Sequence, residues 1–283
     1  MKHIYLNLKR FEIPREFGGV NGIARPAEWA GKIYEETDRA ICQYCEDDID
    51  FAMYLPEAHI LQAIQKKETE SMMRIGCQGV GIEDVEAGKN FGAFTSVRTA
   101  KAMKVIGCTD VIIGHCEERK AKRQILEEAG VEDESAVTRV LNAEILRARE
   151  AGLKVLYCIG ESDKQRDSWR QVLSEQLMAG LNNTDLSEII VAYEPVWAIG
   201  PGKVPPDREQ IRERVSFIKE CVPGIEVLYG GGLKKENAAM IAEIEELDGG
   251  LIALTRFTGD FGFYPDEYLE IVRNYMSVRR NRK

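Results

Sequence analysis

The chain has 283 residues, of which 44% are hydrophobic, so it is long enough to bury one large core. We expect a single domain over residues 1–283, because α/β barrels commonly reach this length undivided. The net charge of −9 argues against nucleic-acid and anionic-membrane partners, since both need an extended basic surface. An anionic substrate then requires a local cluster of donors.

No run approaches the roughly 18 apolar residues that a membrane span needs, and the N-terminus is too short for a signal-peptide core. We therefore expect a cytoplasmic protein. The odd count of seven cysteines is typical of reduced thiols. Cys42 and Cys45 form a C-x-x-C, but without a second pair or a nearby histidine we expect two thiols on a barrel-facing helix. We predict no metal.

Short apolar runs alternate with amphipathic stretches along the chain. The stretches 134–152 and 206–221 are predicted helices, with Gly152 at a helix end and Pro205-Pro206-Asp207 at a helix start. This alternation is typical of βαβ units and favours a closed (β/α)₈ TIM barrel over an open doubly wound sheet, although periodicity alone does not establish closure. The predicted strands are residues 4–8, 49–54, 74–78, 111–114, 154–159, 189–193, 225–229 and 251–254.

Polar residues follow four of these strands at the end where barrel enzymes place their reacting groups. The first strand ends in Asn7-Leu8-Lys9, the fourth in His115-Cys116-Glu117, the sixth at Glu194, and the seventh in Gly230-Gly231-Gly232. A carboxylate, a histidine and a lysine at one pocket mouth can supply a base, an electrophile and an anion clamp. We take this end of the barrel as the candidate site.

These residues also carry a resemblance to a known family. The segment Val191-Ala192-Tyr193-Glu194-Pro195-Val196-Trp197-Ala198-Ile199-Gly200 resembles the sixth strand and closing lid of triosephosphate isomerases. The other strand ends resemble that family's motifs in the same order, and residues 157–161 resemble its fifth. Gly92-Ala93-Phe94-Thr95 resembles the tip of the third loop, which in that family inserts into the second subunit of a homodimer. The resemblance therefore implies a homodimer that contacts through Phe94 and Thr95.

The resemblance implies a mechanism as well, the one established for triosephosphate isomerases. Glu194 takes a proton from the carbon beside a carbonyl, and neutral His115 polarises that carbonyl. Lys9 holds the negative charge of a small phosphorylated sugar, Asn7 lines the pocket, and Glu117 completes the polar network. The lid closes over the reaction, and the N–H of Gly200 reaches the phosphate. No cofactor is implied.

The eighth strand departs from the family pattern. The family ends it with two glycines whose N–H groups bind phosphate, whereas Ala253 and Leu254 stand at these positions. The segment that follows looks longer than in the family, and Arg256 offers a guanidinium suited to phosphate oxygens. Gly232 replaces a serine of the seventh loop, and the first βα loop, residues 12–25, looks extended. We predict substrate contacts from Gly200, Gly232, Ala253, Leu254 and Arg256.

Each of these residues alone has a structural explanation, such as a polar strand end for Glu194 or a helix cap for His115. Their occurrence at one end of successive strands favours a shared function. The leading prediction is interconversion of glyceraldehyde 3-phosphate and dihydroxyacetone phosphate. An isomerase for a related sugar phosphate, such as a four-carbon ketose phosphate, remains open. A catalytically silent barrel that binds a phosphorylated metabolite is the alternative from another class, since fold alone does not decide function.

Overall fold

The computed structural model of the protein describes residues 1–199 and 203–280. Eight parallel strands form a closed barrel in sequence order, and pairing of the first strand with the eighth completes it. The strands are buried along most of their length, as their apolar runs require. The predicted closed (β/α)₈ barrel is confirmed. The strands are β1 (Lys2–Asn7), β2 (Ile49–Leu55), β3 (Met73–Cys77), β4 (Asp110–Ile113), β5 (Lys154–Ile159), β6 (Ile189–Tyr193), β7 (Glu226–Tyr229) and β8 (Gly249–Ile252).

Helices pack outside the barrel and connect its strands. The two predicted helices are present with small shifts at their ends. The longer ends at Glu150, ahead of Gly152 with its φ of +75°, and the other begins after Asp207, which caps it through a capping box with Gln210. The helices are α1 (Pro26–Ile41), α2 (Glu57–Ile64), α3 (Ala100–Val105), α4 (Cys116–Glu128), α5 (Glu134–Glu150), α6 (Trp169–Gly180), α7 (Arg208–Cys221), α8 (Ala238–Glu243) and α9 (Pro265–Arg280).

The eighth strand lies two residues earlier than predicted. It begins at Gly249, where a Cβ atom would lie 1.8 Å from the carbonyl oxygen of His3, so only glycine permits this approach of β8 to β1. Glycine pairs resemble turns in a sequence, which explains the shifted prediction. Because β8 ends at Ile252, Ala253 and Leu254 lie beyond the strand, at the mouth of the barrel.

Ion pairs and hydrogen bonds join side chains across the amino-terminal end of the barrel. Arg74 donates to both carboxylate oxygens of Asp110, at 2.9 and 2.8 Å, and also pairs with Asp50. The hydroxyl of Tyr5 donates to Asp50, and His3 lies within 3.0 Å of the same carboxylate. A buried apolar layer separates this cluster from the opposite end. Because the side chains at the amino-terminal end are paired with one another, the carboxyl ends of the strands are the better place for the candidate site.

The extended loops after β1 and β8 contact each other. Arg15 donates to Asp260 and to the hydroxyl of Tyr264, each at 2.9 Å. The eighth loop folds back as a short hairpin in which the backbones of Arg256 and Gly262 pair. The two segments that looked longer than the family pattern thus brace one another beside the barrel mouth.

Two remaining expectations concern thiols and membranes. The expectation of two thiols on a barrel-facing helix is wrong: Cys42 follows the end of α1 in a 3₁₀ turn, and Cys45 is exposed. The difference arises because α1 stops at Ile41, one residue before the C-x-x-C begins. Among the described residues, no helix has both the length and the apolar composition for crossing a membrane.

Candidate active site

A cavity of about 270 Å³ opens at the carboxyl ends of the strands. Eight of the predicted site residues line it: Asn7, Lys9, Glu117, His115, Glu194, Gly232, Ala253 and Leu254. Arg256 is not among its lining residues, and Gly200 lies outside the described residues. The structure therefore brings together side chains that follow β1, β4, β6, β7 and β8, as expected for a barrel enzyme.

Glu194 directly follows β6, and its side chain is held at the cavity wall. Its N–H donates to the carbonyl of Ile159 at 2.7 Å, which continues the pairing of β6 with β5. Carboxylate Oε2 accepts from the N–H of Cys116 at 2.8 Å. Oε1 has no hydrogen-bond partner among the described residues and lies 3.2 Å from Nε2 of His115 without hydrogen-bond alignment. Burial raises the pKa of Glu194, although His115 and the Cys116 N–H oppose the shift.

Two glycines leave the space that Glu194 occupies. A Cβ atom on Gly160 would lie 1.8 Å from the carbonyl oxygen of Glu194, and one on Gly230 would lie 2.8 Å from its Cγ. Both distances are shorter than any ordinary carbon contact, so a larger residue must displace the backbone or the side chain. Gly230 therefore determines the position of the carboxylate as well as the shape of its loop.

His115 is the N-cap residue of α4, and this role fixes its tautomer. Its Nδ1 accepts from the N–H of Glu117 at 3.3 Å, so the ring proton of the neutral form belongs on Nε2. That nitrogen lies at the cavity, 3.2 Å from Oε1 of Glu194. The geometry presents the Nε2–H of His115 to a substrate oxygen in the cavity.

Lys9 reaches the cavity from the end of β1 through an unusual backbone conformation. Its φ of +41° is rare for a residue with a side chain, and such strain commonly marks functional positions. Its ammonium donates to Glu117 at 2.8 Å. Burial acts to raise the pKa of Glu117, but the attraction of Lys9 outweighs it and holds the pKa below its ordinary value. Glu117 thus keeps a negative charge beside the lysine.

Gln78, which the sequence reasoning did not select, holds the end of β1 in place. Its amide nitrogen lies 3.2 Å from Oδ1 of Asn7, 3.2 Å from the carbonyl of Lys9 and 3.1 Å from that of Tyr54. The Asn7 side chain in turn accepts from the N–H of Lys9 at 3.1 Å. This network supports the strained conformation of Lys9. A polar residue just after β3 was the available signal, but its partners were not deducible from spacing.

The opposite side of the cavity is formed by the ends of β7 and β8. Gly232, with a φ of +92°, lies here together with Ala253 and Leu254. Arg256 instead forms an ion pair with Glu267, with Nε and Nη2 each at 2.7 Å from its carboxylate. Its guanidinium also stacks on Tyr264, 3.8 Å from the ring centre. Arg256 must leave both partners before it can contact a ligand in the cavity.

Comparison with known proteins decides the family. A sequence model of the triosephosphate isomerase family matches residues 31–273. The triosephosphate isomerase of Pelodictyon phaeoclathratiforme is 34% identical over 225 residues, which cover 75% of this chain and 80% of that protein. The chain belongs to the triosephosphate isomerase family. The predictions of this family and of an aldose–ketose isomerase are confirmed.

Other similar proteins agree with this family. The triosephosphate isomerase of Rhizobium etli is 37% identical over 180 residues, which cover 60% of this chain and 74% of that protein. A crystal structure of triosephosphate isomerase from Bartonella henselae matches with a TM-score of 0.71 over 97% of this chain and 99% of that one. Its sequence identity of 22% makes this a likeness of fold. A small phosphorylated sugar is the class of substrate that the family implies.

The first part of the family's lid is anchored to the barrel. Trp197 donates from its ring nitrogen to Oε1 of Glu161 at 3.0 Å, and the hydroxyl of Tyr193 donates to the same oxygen at 2.9 Å. Arg166 lies over the Trp197 ring, 4.1 Å from its centre. These contacts hold the segment that follows Glu194 beside the fifth strand. The lid tip that includes Gly200 lies outside the described residues.

Two further features lie near the site. A larger cavity of about 580 Å³ between α4, α5 and α6 lacks Glu194, His115 and Lys9, so volume alone does not mark the site of the chemistry. Within the described part of the chain, His115, Cys116 and Glu194 form the one cluster of possible metal ligands. Burial, followed by the charge of Glu194, raises the pKa of the Cys116 thiol to about 12. A protonated thiol is a poor metal ligand.

Proposed function

We propose that this chain interconverts glyceraldehyde 3-phosphate and dihydroxyacetone phosphate through an enediolate. The observation that carries the proposal is the placement of the buried Glu194 carboxylate beside Nε2 of His115, in the same cavity as Lys9 and with one oxygen that accepts no hydrogen bond from the described residues. A base, a hydrogen-bond donor and a cation in one small cavity are what proton transfer next to a carbonyl requires. Family membership supports the same reaction.

Glu194 takes the proton from the carbon beside the carbonyl, and the electron pair of that C–H bond moves toward the carbonyl oxygen. His115 stabilises the resulting oxyanion by donating from Nε2, which the N-cap contact of Nδ1 leaves protonated. His115 passes its Nε2 proton to that oxyanion and takes up the proton of the neighbouring hydroxyl, while Glu194 returns its proton to the carbon that bore the carbonyl, which completes the exchange of aldose and ketose. This division of roles is the one established for triosephosphate isomerases.

Burial gives Glu194 the properties that a base needs. Its raised pKa makes the ionised carboxylate a stronger proton acceptor than an exposed glutamate. Lys9 supplies positive charge for the anionic substrate, and its contact with Glu117 and the Gln78 network fix where that charge lies. Asn7 positions Lys9 through its side-chain oxygen. These contacts support the catalytic roles that we assign to Asn7, Lys9 and Glu117.

The direct test is isomerisation of glyceraldehyde 3-phosphate by the purified protein beside a Glu194→Gln variant. The variant keeps the shape of the side chain but removes the base, so kcat should fall roughly 10²- to 10⁴-fold. Glu188→Gln is a matched control, because Glu188 is a half-exposed residue at the opposite end of β6 that pairs with Lys154. Equal turnover by the wild type and Glu194→Gln would contradict the assigned base.

Substrate profiling separates the alternatives to this reaction. Faster turnover of a four-carbon ketose phosphate than of the triose phosphates would change the assigned substrate and leave the assigned type of reaction unchanged. Stabilisation by inorganic phosphate without turnover of either substrate would indicate a binding protein. The Ala253 and Leu254 side chains at the cavity wall are the observation that makes both comparisons necessary.

We also propose a homodimer formed through the loop that carries Phe94 and Thr95, in the cytoplasm. Thr95 is exposed and Phe94 half-buried, while the nearby Phe91 is 83% exposed, which is unusual for a large aromatic side chain. An exposed aromatic loop beside the barrel mouth supports contact with a second copy. Sedimentation velocity tests this, and a monomer at micromolar concentration would overturn it.

A further inference from the structure

On the side of the cavity formed by β7 and β8, the two glycines that the family pattern places there for phosphate are replaced by Ala253 and Leu254. Ala253 and Leu254 put side chains where a close backbone approach needs glycine. Arg256, the cation that follows them, is held by Glu267 and Tyr264. The proposed reaction still needs a positive group here, since Lys9 lies across the cavity and already contacts Glu117.

Lys234 lines this side of the cavity. A tight turn after β7 fixes its backbone: its N–H donates to Oδ1 of Asn237 at 2.7 Å, and the Asn237 amide donates to the carbonyl of Gly232 at 3.0 Å. The preceding residue, Leu233, donates to the carbonyl of Leu251 at 2.9 Å, which joins the turn to β8. Hydrogen bonds to the turn after β7 and to β8 therefore fix the backbone from which the Lys234 side chain extends.

The ammonium of Lys234 is not neutralised by a carboxylate. Among the described residues it forms no ion pair, and its Nζ lies 3.9 Å from the ring centre of Phe257. The next residue, Lys235, contrasts with it, because Lys235 is exposed and pairs with Glu270 at 2.6 Å. An aromatic face attracts a cation without using its N–H groups, so Lys234 keeps its donors available to an anion.

Phe257 is placed by the extended eighth loop. It follows Arg256 at the start of the hairpin, and its ring packs edge-on against Phe261 at 5.9 Å. The contacts of Arg15 with Asp260 and Tyr264 brace that hairpin. The segment that departs from the family pattern thus supplies the aromatic surface on which Lys234 rests.

We propose that Lys234 binds the phosphate group of the substrate, in place of backbone donors at Ala253 and Leu254, with Phe257 holding the ammonium at the cavity wall. This inference rests on the proposed function, because it assigns the phosphate end of the same substrate. Lys234 is a substrate-binding residue that takes no part in proton transfer. Its loss should therefore act on binding much more than on the chemical step.

The test compares Lys234→Met with Lys235→Met, which removes a charge from the adjacent outward-facing lysine. Lys234→Met should raise KM for glyceraldehyde 3-phosphate, and the inhibition constant of inorganic phosphate, by roughly 10- to 100-fold, the size expected for a lost charge-assisted contact. Lys235→Met should change neither. Lys234→Arg should recover part of the phosphate affinity, since a guanidinium also donates to phosphate oxygens.

Direct titration with inorganic phosphate by calorimetry separates this inference from the proposed function. If the wild type isomerises triose phosphates but Lys234→Met and Lys235→Met bind phosphate equally well, Lys234 is not the phosphate ligand and the isomerase stands. If the wild type shows no turnover but Lys234→Met alone loses phosphate binding, the anion site stands and the reaction assignment fails. Thermal unfolding of both variants checks that each is folded.

Discussion

Glu194 and Lys234 lie in the same cavity but are held in different ways. Glu194 is buried, its backbone continues the sheet, and its carboxylate is fixed by Cys116 and by the space at Gly230. Lys234 extends from a turn, and its ammonium lies against the face of Phe257 without an ion pair among the described residues. A proton moves only over a short and directed path, whereas a charge attracts phosphate from several directions.

This difference explains which residues follow the family pattern. Asn7, Lys9, His115 and Glu194, to which we propose catalytic roles, match it position by position. The side that we propose to bind phosphate has Ala253 and Leu254 in place of the family's glycines, a hairpin, and the ammonium of Lys234, which has no ion pair among the described residues. A binding charge can be supplied from a new position with less constraint than a base or an electrophile.

The largest kinetic effect should come from substituting Gly230, beside Glu194, or Gly232, beside Lys234. Gly230→Ala puts a methyl group 2.8 Å from Cγ of Glu194, so we expect kcat to fall by roughly 10²-fold, as for small displacements of reacting groups. Gly232→Ala faces Lys234 instead, with Cε at 3.4 Å, and should mainly raise KM. Steady-state kinetics of both variants measures the contrast.

Backbone strain needs its own control in that experiment. Gly232 has a φ of +92°, so its replacement destabilises the loop whatever the contact. Gly224 has a similar φ of +85°, but a Cβ atom there would have no neighbour within 4 Å. The Gly224→Ala variant therefore measures the loss of stability that backbone strain alone causes. If Gly230→Ala raises KM and leaves kcat unchanged, the tight placement of the base has no catalytic role.

The proton-transfer side could be predicted from the sequence because its residues directly follow strands. Parallel strands end at one edge, so Asn7, His115 and Glu194 were expected to meet once eight strands were recognised. Their side chains are short, so the position of the backbone largely fixes the position of the functional group. Strand limits were reproduced for β5 and β6, while β8 was shifted by its glycine pair.

The phosphate side could not be predicted in the same way. Arg256 looked like the replacement donor, but its guanidinium pairs with Glu267, eleven residues later and on α9, a contact that no local pattern reveals. Lys234 follows a glycine-rich turn and looks like a surface charge in the sequence. Long side chains such as these choose partners across loops, and loop conformation depends on contacts such as Arg15 with Asp260.

A smaller kinetic effect should follow from removing the hydrogen bonds of Gln78 that hold Lys9 in place. Gln78→Leu removes the amide that lies near Asn7, Lys9 and Tyr54, so we expect kcat/KM to fall about tenfold as the end of β1 loses its hydrogen bonds. Gln62→Leu is the control, because Gln62 bonds to the backbone of α1 far from the cavity. Equal kinetics of the two variants would show that Gln78 has only a structural role.

The smallest expected effect is a pH-dependent change in stability, which we expect for substitution of Glu194 and not of Lys234. Burial raises the pKa of Glu194 in the folded state, so the folded protein favours the protonated carboxyl more than the unfolded chain does. Its contribution to stability is complete below the unfolded pKa and is lost as pH rises through the raised folded pKa. At pH 8 the wild type therefore carries the cost of a buried carboxylate, which Glu194→Gln removes.

The free energy of unfolding of Glu194→Gln should exceed that of the wild type at pH 8, by about 1.4 kcal/mol for each pKa unit of upward shift. The difference should close as pH falls to about 4, near the ordinary pKa of a glutamate. Urea denaturation at both pH values measures it, with Lys234→Met as the comparison that should show no such dependence. A lower free energy of unfolding for Glu194→Gln than for the wild type at pH 8 would contradict this prediction. It would mean that the hydrogen bond from Cys116 to the carboxylate contributes more to stability than burial of the charge costs.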